Sequence, residues 1–259
     1  MSDVAPFDGV DLRRVEEIGL NALQTQRQLF YDGWLLRVSP GKAKRARSVN
    51  AYFGSTLPLA QKIPYCERIY AERGLPALFR ITPFLHPPNL EADLEARGYL
   101  SFENTLVQLT RLEHPPETRA VPGVDFVTPS PAEFAEAVGE LQETSAEQRA
   151  AFLERMAHTP LTTRAVIAVM DGRPVGTGTV MLEDGLAGVF TMGTAPDLRA
   201  QGIASGILAT LLAWAWEHAA THAYLQVSAD NLRAISVYRR FGFVDSYTYH
   251  YRGRPDECR

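Results

Sequence analysis

The sequence is poor in the residues that mark disulfide-rich, metal-binding and membrane-spanning proteins. Its 259 residues include two cysteines, Cys66 and Cys258, whose unrelated surroundings predict neither a disulfide framework nor a metal site. No apolar run approaches membrane-spanning length, and the first ten residues are acidic with few apolar side chains. The formal net charge of −4 lacks the basic excess of nucleic-acid-binding proteins. We therefore expect a cytoplasmic protein that contacts neither membranes nor nucleic acids.

A proline-containing stretch divides the chain, which is long enough for two modest domains. Residues 113–122 contain three prolines and mixed charge without hydrophobic periodicity, which is typical of a linker. We predict an N-terminal unit at 1–115 and a C-terminal unit at 123–259. Both contain helical and strand patterns, so the expected fold class is α/β (α+β).

Hydrophobic periodicity predicts strands and helices in the N-terminal unit. Asn89 is expected to cap the third helix, and Gly98 to end it. The strand expected within 30–39 starts after Asp32-Gly33. The predicted helices are residues 10–29, 57–73 and 89–97, and the predicted strands are 30–39, 43–53, 76–82 and 102–112.

The C-terminal unit begins with a similar set of elements. Ser145 and Gln148 form a potential capping box, and Asp171-Gly172 is a strong hairpin signal. The predicted strands are residues 124–127, 165–170 and 175–182, and the predicted helices are 131–141 and 145–156.

The most informative stretch is residues 188–243, where an apolar strand turns into a loop and then into a long apolar helix. The loop, residues 199–204, reads Arg-Ala-Gln-Gly-Ile-Ala. The first N–H groups of a helix lack partners within the helix, and together with the helix dipole they form an anion site. Gly202 lets the backbone approach a bulky ligand, and Arg199 adds a cation. These features favour a phosphate or pyrophosphate ligand, although such a helix start can also simply cap itself.

A second strand and a second helix follow, and the helix carries Asn231 and Tyr238 seven residues apart on one face. Gly242, between two phenylalanines, is expected to end that helix. The order Arg-x-x-Gly-x-Ala, helix, strand, Asn-x-x-Ala-x-x-x-Tyr-x-x-x-Gly-Phe resembles the GNAT superfamily of acetyl-CoA-dependent N-acetyltransferases. The resemblance covers residues 124–252 and implies a mixed, mostly antiparallel central sheet flanked by helices.

The resemblance implies acetyl-CoA as cosubstrate, with no metal. The loop amides would hold the pyrophosphate, the preceding strand would pair with the pantetheine arm, and Asn231 would hydrogen-bond the cofactor. Tyr238 would be the catalytic acid, because a phenol can protonate a departing thiolate. The cofactor-binding residues implied are Met192, Gly193, Thr194, Arg199, Ala200, Gln201, Gly202, Ile203, Ala204 and Asn231.

The general base departs from the better-known pattern. Some GNAT members have a glutamate on the strand before the loop, and here Gly188 stands near that place. An ordered water or a side chain of the N-terminal unit could take the proton instead. The backbone N–H of Met192 or Gly193 could stabilise the oxyanion if the strands splay there.

The N-terminal unit has a similar order of elements, which suggests a tandem arrangement of two GNAT-like units; an unrelated α/β domain is the alternative. Its residues 54–57, Gly-Ser-Thr-Leu, replace the Arg-x-x-Gly-x-Ala loop, so we expect it not to bind the cofactor. It is expected to wall the acceptor pocket. Five residues on its second and third elements could bind a carboxylate-bearing acceptor or form an ordinary solvated sheet face: Trp34, Arg37, Arg45, Arg47 and Asn50.

Together these features predict an N-acetyltransferase, a monomer or homodimer, that moves acetyl directly to a primary amine of a small molecule or peptide. No cysteine lies in the motif region, which disfavours an acyl-cysteine route. A coenzyme A-binding regulatory or scaffolding protein without turnover is the alternative. A nucleotide-phosphate-binding protein would need a Lys-Ser/Thr pair after Gly202, and none follows.

Overall fold

The computed structural model describes residues 5–25, 27–118, 120–256 and 258; parts of the acidic start, of the first predicted helix, of the predicted linker and of the C-terminus lie outside these ranges. Short 3-10 helices occur at Lys44–Ala46 and Pro196–Leu198. The α-helices are Leu12–Asn21 (α1), Leu59–Ala71 (α2), Leu90–Ala96 (α3), Pro131–Leu141 (α4), Ala146–His158 (α5), Ile203–Glu217 (α6) and Leu232–Arg239 (α7). The strands are Gln28–Tyr31 (β1), Trp34–Arg37 (β2), Val49–Asn50 (β3), Phe79–Ile81 (β4), Leu100–Arg111 (β5), Asp125–Val127 (β6), Thr162–Met170 (β7), Arg173–Glu183 (β8), Leu186–Thr194 (β9), His222–Ser228 (β10) and Val244–Gly253 (β11).

These strands form one mixed sheet in the order β1-β2-β3-β4-β11-β5-β10-β9-β8-β7-β6. Its pairs are antiparallel except β3–β4 and β9–β10, which confirms the predicted mostly antiparallel sheet flanked by helices. The last strand of each half is exchanged: β5 lies between β10 and β11, and β11 lies between β4 and β5. Strands of the two predicted units are therefore hydrogen-bonded to each other in one sheet. The division into units at 1–115 and 123–259 stays a prediction.

The hairpin β1–β2 shows where the first predicted helix was too long. Asp11 caps α1 by accepting from Arg13 N at 2.9 Å, but the helix ends at Asn21. Residues 28–31 instead pair with residues 34–37 around Asp32-Gly33, whose φ angles of 43° and 81° suit a tight hairpin turn. The strand predicted to start after Asp32-Gly33 is confirmed as β2, whereas β1 occupies residues that were predicted to end the first helix.

Two further expectations for the N-terminal half are wrong. Most of residues 43–53 is not strand, because the chain turns through Lys44–Ala46 to bury Ala46, and only Val49–Asn50 pairs with its neighbours. The Asn89 side chain makes no capping hydrogen bond. In the C-terminal half, the capping box of Ser145 and Gln148 and the Asp171-Gly172 hairpin are confirmed.

The sheet packs helices on both faces near the informative stretch. On one face, Val189, Leu225 and Val227 contact the core that includes α6 and Tyr238 of α7. On the other face, Phe190 and Tyr224 share a core with α1. In the part of the chain that is described, no helix is both long and apolar enough to cross a membrane.

Candidate active site

The loop before α6 presents a row of unpaired backbone donors. Ala200 and Gly202 adopt φ angles of 65° and 88°, and the first helical bond runs from Gly206 N to Gly202 O at 2.9 Å. Among the described residues, the N–H groups from Arg199 through Ser205 find no acceptor. Successive amides in such a conformation, at the positive end of a 15-residue helix, form an anion-binding concavity.

A large cavity of about 980 Å³ lies beside this loop. Its walls include Gly202, Ser205 and Gly206 of the loop and first turn of α6, the end of α7 at residues 240–242, and much of residues 112–122. Arg111 and Arg240 add two cationic side chains. The volume lies at the upper end of that found for ligand pockets, so a nucleotide-sized molecule fits beside the loop.

The strands β9 and β10 separate before Met192 and Gly193, where a splay was considered from the sequence. They pair from Leu186 with His222 to Val189 with Leu225; beyond that point β9 continues to Thr194 and β10 to Ser228. The splay leaves backbone groups of β9 beyond Val189 unpaired with β10, and these face the opening.

A bulge in β9 shapes the same opening. Thr177 of β8 pairs with Gly193 and Thr179 with Phe190, so two β9 residues oppose one β8 residue. Thr191 sits in the bulge at φ 56°. The Thr177 hydroxyl donates to the Thr191 carbonyl at 3.0 Å, and Thr179 donates to the Phe190 carbonyl at 3.3 Å. These two hydrogen bonds stabilise the bulge, which includes Met192 and changes the direction of the backbone there.

Asn231 and Tyr238 occupy the two ends of α7. Asn231 Oδ1 accepts from Ala234 N at 3.1 Å and caps the helix, so its Nδ2 group is the part left to meet a ligand. Tyr238 is 7% exposed, and its ring lies edge-on to Phe243. Burial raises the pKa of Tyr238 to about 12, above the value near 10 expected from the sequence. The phenol therefore stays protonated and is a weaker acid than a thiol.

The space beside Gly188, where a glutamate base would stand, is filled by aromatic rings. A Cβ on Gly188 would lie 2.5 Å from the Tyr224 hydroxyl oxygen and 2.7 Å from the Phe190 ring. Tyr224 is fully buried, and its hydroxyl has no hydrogen-bond partner among the described residues. Burial raises the pKa of Tyr224 well above its usual range, so the residue is neutral at physiological pH.

The five residues that could bind the acceptor are not an ordinary solvated sheet face, because three of them are buried and the other two are half-buried. Trp34 packs in the N-terminal core and donates from Nε1 to the His86 carbonyl at 2.7 Å. Asn50 is buried and donates to the Ser48 carbonyl at 3.0 Å.

The three arginines of that group lie in different settings. Arg37 is buried at 2% exposure, and Arg47 is half-buried with an unpartnered Nε among the described atoms. Arg45 reaches the cleft: its guanidinium lies 5.6 Å from the Phe190 ring centroid and donates to Gln226 Oε1. The structure thus brings Arg45, but neither Trp34 nor Asn50, to the splayed strands.

Sequence reasoning missed two residues at this place, Gln226 and Arg155. Gln226 is a polar residue inside the apolar strand run of β10, which was a usable signal of a polar contact in the interior. Its Oε1 also accepts from the Tyr249 hydroxyl at 2.9 Å. Arg155 lies on α5, where no motif distinguishes it from the other charged residues. Across the described ranges, no three histidine, cysteine or carboxylate side chains lie together as metal ligands would.

Known proteins that resemble this chain identify both its structural class and its family. The structure is similar to a GCN5-related N-acetyltransferase from Kribbella flavida, with a TM-score of 0.67 and 20% identity over 94% of this chain and 95% of that one. The family described as "Probable histone acetyltransferase Rv0428c C-terminal" matches residues 9–252, and the chain belongs to this family. It is an acetyltransferase of the GNAT kind.

Two further similarities extend over most of the chain. An uncharacterized N-acetyltransferase, YobR of Bacillus subtilis (strain 168), is 26% identical over 93% of this chain and 98% of its own length. A solved tandem GNAT protein from the clavulanic acid biosynthesis pathway has a TM-score of 0.61 and 16% identity, over 79% of this chain and 74% of that one. The latter shows likeness of fold alone.

Proposed function

We propose that this chain transfers acetyl from acetyl-CoA directly to a primary amine of a small molecule or peptide. The observation that carries the proposal is the row of unpaired amides from Arg199 through Ser205 beside the splayed strands. Diphosphate is an anion that such a row accommodates, and the splayed strand β9 leads directly into this loop. A tandem pair of GNAT-like units, the first without cofactor, accounts for the exchanged strands.

The loop before α6, the strand β9 and Asn231 would each contact a different part of the cofactor. The amides of residues 199–204, Arg-Ala-Gln-Gly-Ile-Ala, would hold the diphosphate, with the Arg199 side chain at the rim. The β9 backbone from Met192 through Thr194 would pair with the amide-rich pantetheine arm in the manner of a strand. Asn231 would donate from Nδ2, since its Oδ1 caps α7.

The chemistry needs few ionised groups. The amine nitrogen attacks the thioester carbonyl carbon, and the Met192 or Gly193 N–H would stabilise the negative charge that develops on the carbonyl oxygen. As the carbon–sulfur bond breaks, Tyr238 would donate a hydrogen bond to the departing sulfur. With a pKa of about 12, Tyr238 serves better as a donor that stabilises the thiolate than as a complete proton source. Water in the cleft would take the amine proton, because Gly188 supplies no carboxylate.

The test is release of free thiol from acetyl-CoA by the purified full-length chain in the presence of a panel of primary amines. Acetyl transfer predicts thiol release that depends on the amine and an acetylated product of the expected mass. A protein that only binds the cofactor would be stabilised against heat by coenzyme A without releasing thiol. Thiol release at the same rate without any amine would also contradict the proposal.

A further inference from the structure

Three arginines on the α1 side of the sheet, Arg37, Arg45 and Arg155, have no carboxylate partner among the described residues, and they lie close enough to repel one another. We propose that Arg37, Arg45 and Arg155 bind a carboxylate of the acceptor, which makes the acceptor a small amine of the amino-acid type. The inference rests on the proposed acetyl transfer and deepens it by naming the substrate class. It also gives the N-terminal half a role, because two of the three arginines come from that half.

Arg45 is placed at the opening itself. Phe190 and Gln226 are the first residues of β9 and β10 beyond their last pair, and both contact Arg45. Their side chains point to the α1 face, whereas the loop before α6 lies on the other face. A thioester that enters from the loop side would therefore meet, across the splay, an acceptor held on the arginine side.

Arg37 has an unused donor in the interior. Its Nη2 donates to the Leu20 carbonyl at 2.7 Å, and its Nε donates to Gln28 Oε1 at 3.3 Å. Its Nη1 is buried and finds no partner among the described residues. A buried donor left without an acceptor costs free energy, and a carboxylate oxygen would satisfy it.

Arg155 approaches the same place from the C-terminal half. A Cβ on Gly41 would lie 3.7 Å from Arg155 Nη1, so the guanidinium reaches the loop that follows β2. Arg155 also lines a small cavity of about 130 Å³ together with Gln24, Thr25 and Glu154. The Glu154 side chain is exposed at the rim of this cavity.

The charges of the three arginines are not balanced within the described part of the protein, where none of the three forms an ion pair. Burial, followed by the positive charges of Arg80 and Arg45, lowers the pKa of Arg37 to about 10. Burial, followed by the charge of Arg45, lowers the pKa of Arg155 to about 10. The deeply buried carboxylate of this face, Glu16, is committed to Arg80 and to the Tyr247 hydroxyl.

An incoming carboxylate would relieve this repulsion, and the planar fork of a guanidinium matches its two oxygens. The site is partly enclosed, because the Arg37 Nη1 group is buried and Arg45 and Arg155 are half-buried. Such a site favours a small molecule over a long peptide.

The test compares amines that differ by one carboxylate: 4-aminobutyrate with butylamine, L-phenylalanine with 2-phenylethylamine, and L-lysine with cadaverine. The carboxylate member of an accepted pair is expected to have a kcat/KM about 10- to 100-fold higher. Arg155→Met should remove most of that preference by raising the KM of the acid, with the Kd of acetyl-CoA unchanged. Arg155→Lys should keep part of the preference, and Arg68→Met, an exposed arginine on α2, should keep all of it.

Two results would overturn the arginine site. One is equal kcat/KM for both members of every accepted pair, which would leave acetyl transfer itself standing. The other is a preference that Arg155→Met leaves intact. If no amine releases thiol, the proposed transfer fails, and calorimetry with the three acids then decides the site: heat that Arg155→Met abolishes supports it, and no heat overturns it.

Discussion

The two loops that lead into α2 and into α6 differ in what satisfies their backbone donors. Before α2, the Asp32 carboxylate accepts from Thr56 N at 3.0 Å and from Leu57 N at 2.8 Å. It also accepts from Lys62 Nζ at 2.9 Å, and Lys62 donates to the Ser55 hydroxyl. These bonds hold the pKa of Asp32 far below its usual range. Before α6, the corresponding N–H groups have no partner among the described residues.

The N-terminal half thus supplies its own anion, the Asp32 carboxylate, where the C-terminal half leaves its amides free to bind one. The last helices of the two halves, α3 and α7, also differ. Four residues before the glycine that follows each helix, α3 has the fully buried Leu94 and α7 has Tyr238. The C-terminal half therefore has an open donor row and a phenol at this helix position, and the described part of the N-terminal half has neither. We expect a single cofactor site in each chain, in the C-terminal half.

The largest effect should come from removing the Tyr238 phenol, whose position in the N-terminal half is occupied by Leu94. We expect Tyr238→Phe to lower kcat about 100-fold, because the departing sulfur loses its hydrogen-bond donor. The Kd of acetyl-CoA should stay within about twofold, since no cofactor-binding group changes. Steady-state kinetics and calorimetry measure the two values. Tyr65→Phe, on α2 of the other half, is the matched control, and an unchanged kcat in Tyr238→Phe would exclude this residue from the reaction.

The next effect concerns the open loop. Gly202→Val should weaken acetyl-CoA binding roughly 10- to 100-fold, because a β-branched residue is strained at a φ of 88° and would reshape the amide row. Gly74→Val is the control, since Gly74 also has a positive φ of 63° but lies at the end of α2. Both variants should lose similar stability in thermal melts. Equal cofactor affinity in the two variants would refute the assignment of the loop.

The third prediction concerns the Asp32 carboxylate, the anion that the N-terminal half supplies to its own loop. Asp32→Asn should lower the melting temperature, because Lys62 would keep its buried position without a charge partner. Asp171→Asn is the matched control, since both aspartates precede glycine in hairpin turns with φ near 50°. Acetyl-CoA should still bind at one site with unchanged affinity. Loss of cofactor binding in a folded Asp32→Asn protein would mean that the cofactor site includes the N-terminal half, which contradicts this prediction.

The smallest effect tests why β9 has no carboxylate at Gly188. Gly188→Ala should lower the free energy of unfolding by about 1–3 kcal/mol, because its methyl group would overlap Tyr224 and Phe190. Gly54→Ala, where a Cβ meets open space, should change it by less than about 0.5 kcal/mol. Urea denaturation measures both, and equal stabilities would mean that the Tyr224 ring does not fill this position.

The sequence predicted those features that depend on local chemistry. The hairpin at Asp171-Gly172, the capping box at Ser145 and the glycine loop before α6 each depend on a few adjacent residues. The exchange of β5 and β11 could not be predicted, because either strand's alternating pattern suits several neighbours. The contact of Asp32 with residues 56 and 57 joins parts of the chain that are far apart in sequence, and no local pattern reports it.

The candidate site shows the same limit. Residues 199–204 and Tyr238 stand out through their spacing, whereas the pKa of Tyr238 depends on burial that only packing decides. Arg45 is one of several arginines on predicted strands, yet it lies in a 3-10 helix and donates a hydrogen bond to Gln226 of β10. Arg155 reaches the same place from another half of the chain, so its position depends wholly on the tertiary fold.

Calorimetry of the full-length protein with acetyl-CoA and with acetyl-pantetheine, which lacks the diphosphate, tests the role of the open amide row most directly. We predict one acetyl-CoA per chain and an affinity for acetyl-pantetheine at least about 100-fold weaker, because the amides before α6 would have no anion to bind. No heat with millimolar acetyl-CoA, or equal affinities for the two thioesters, would contradict the account.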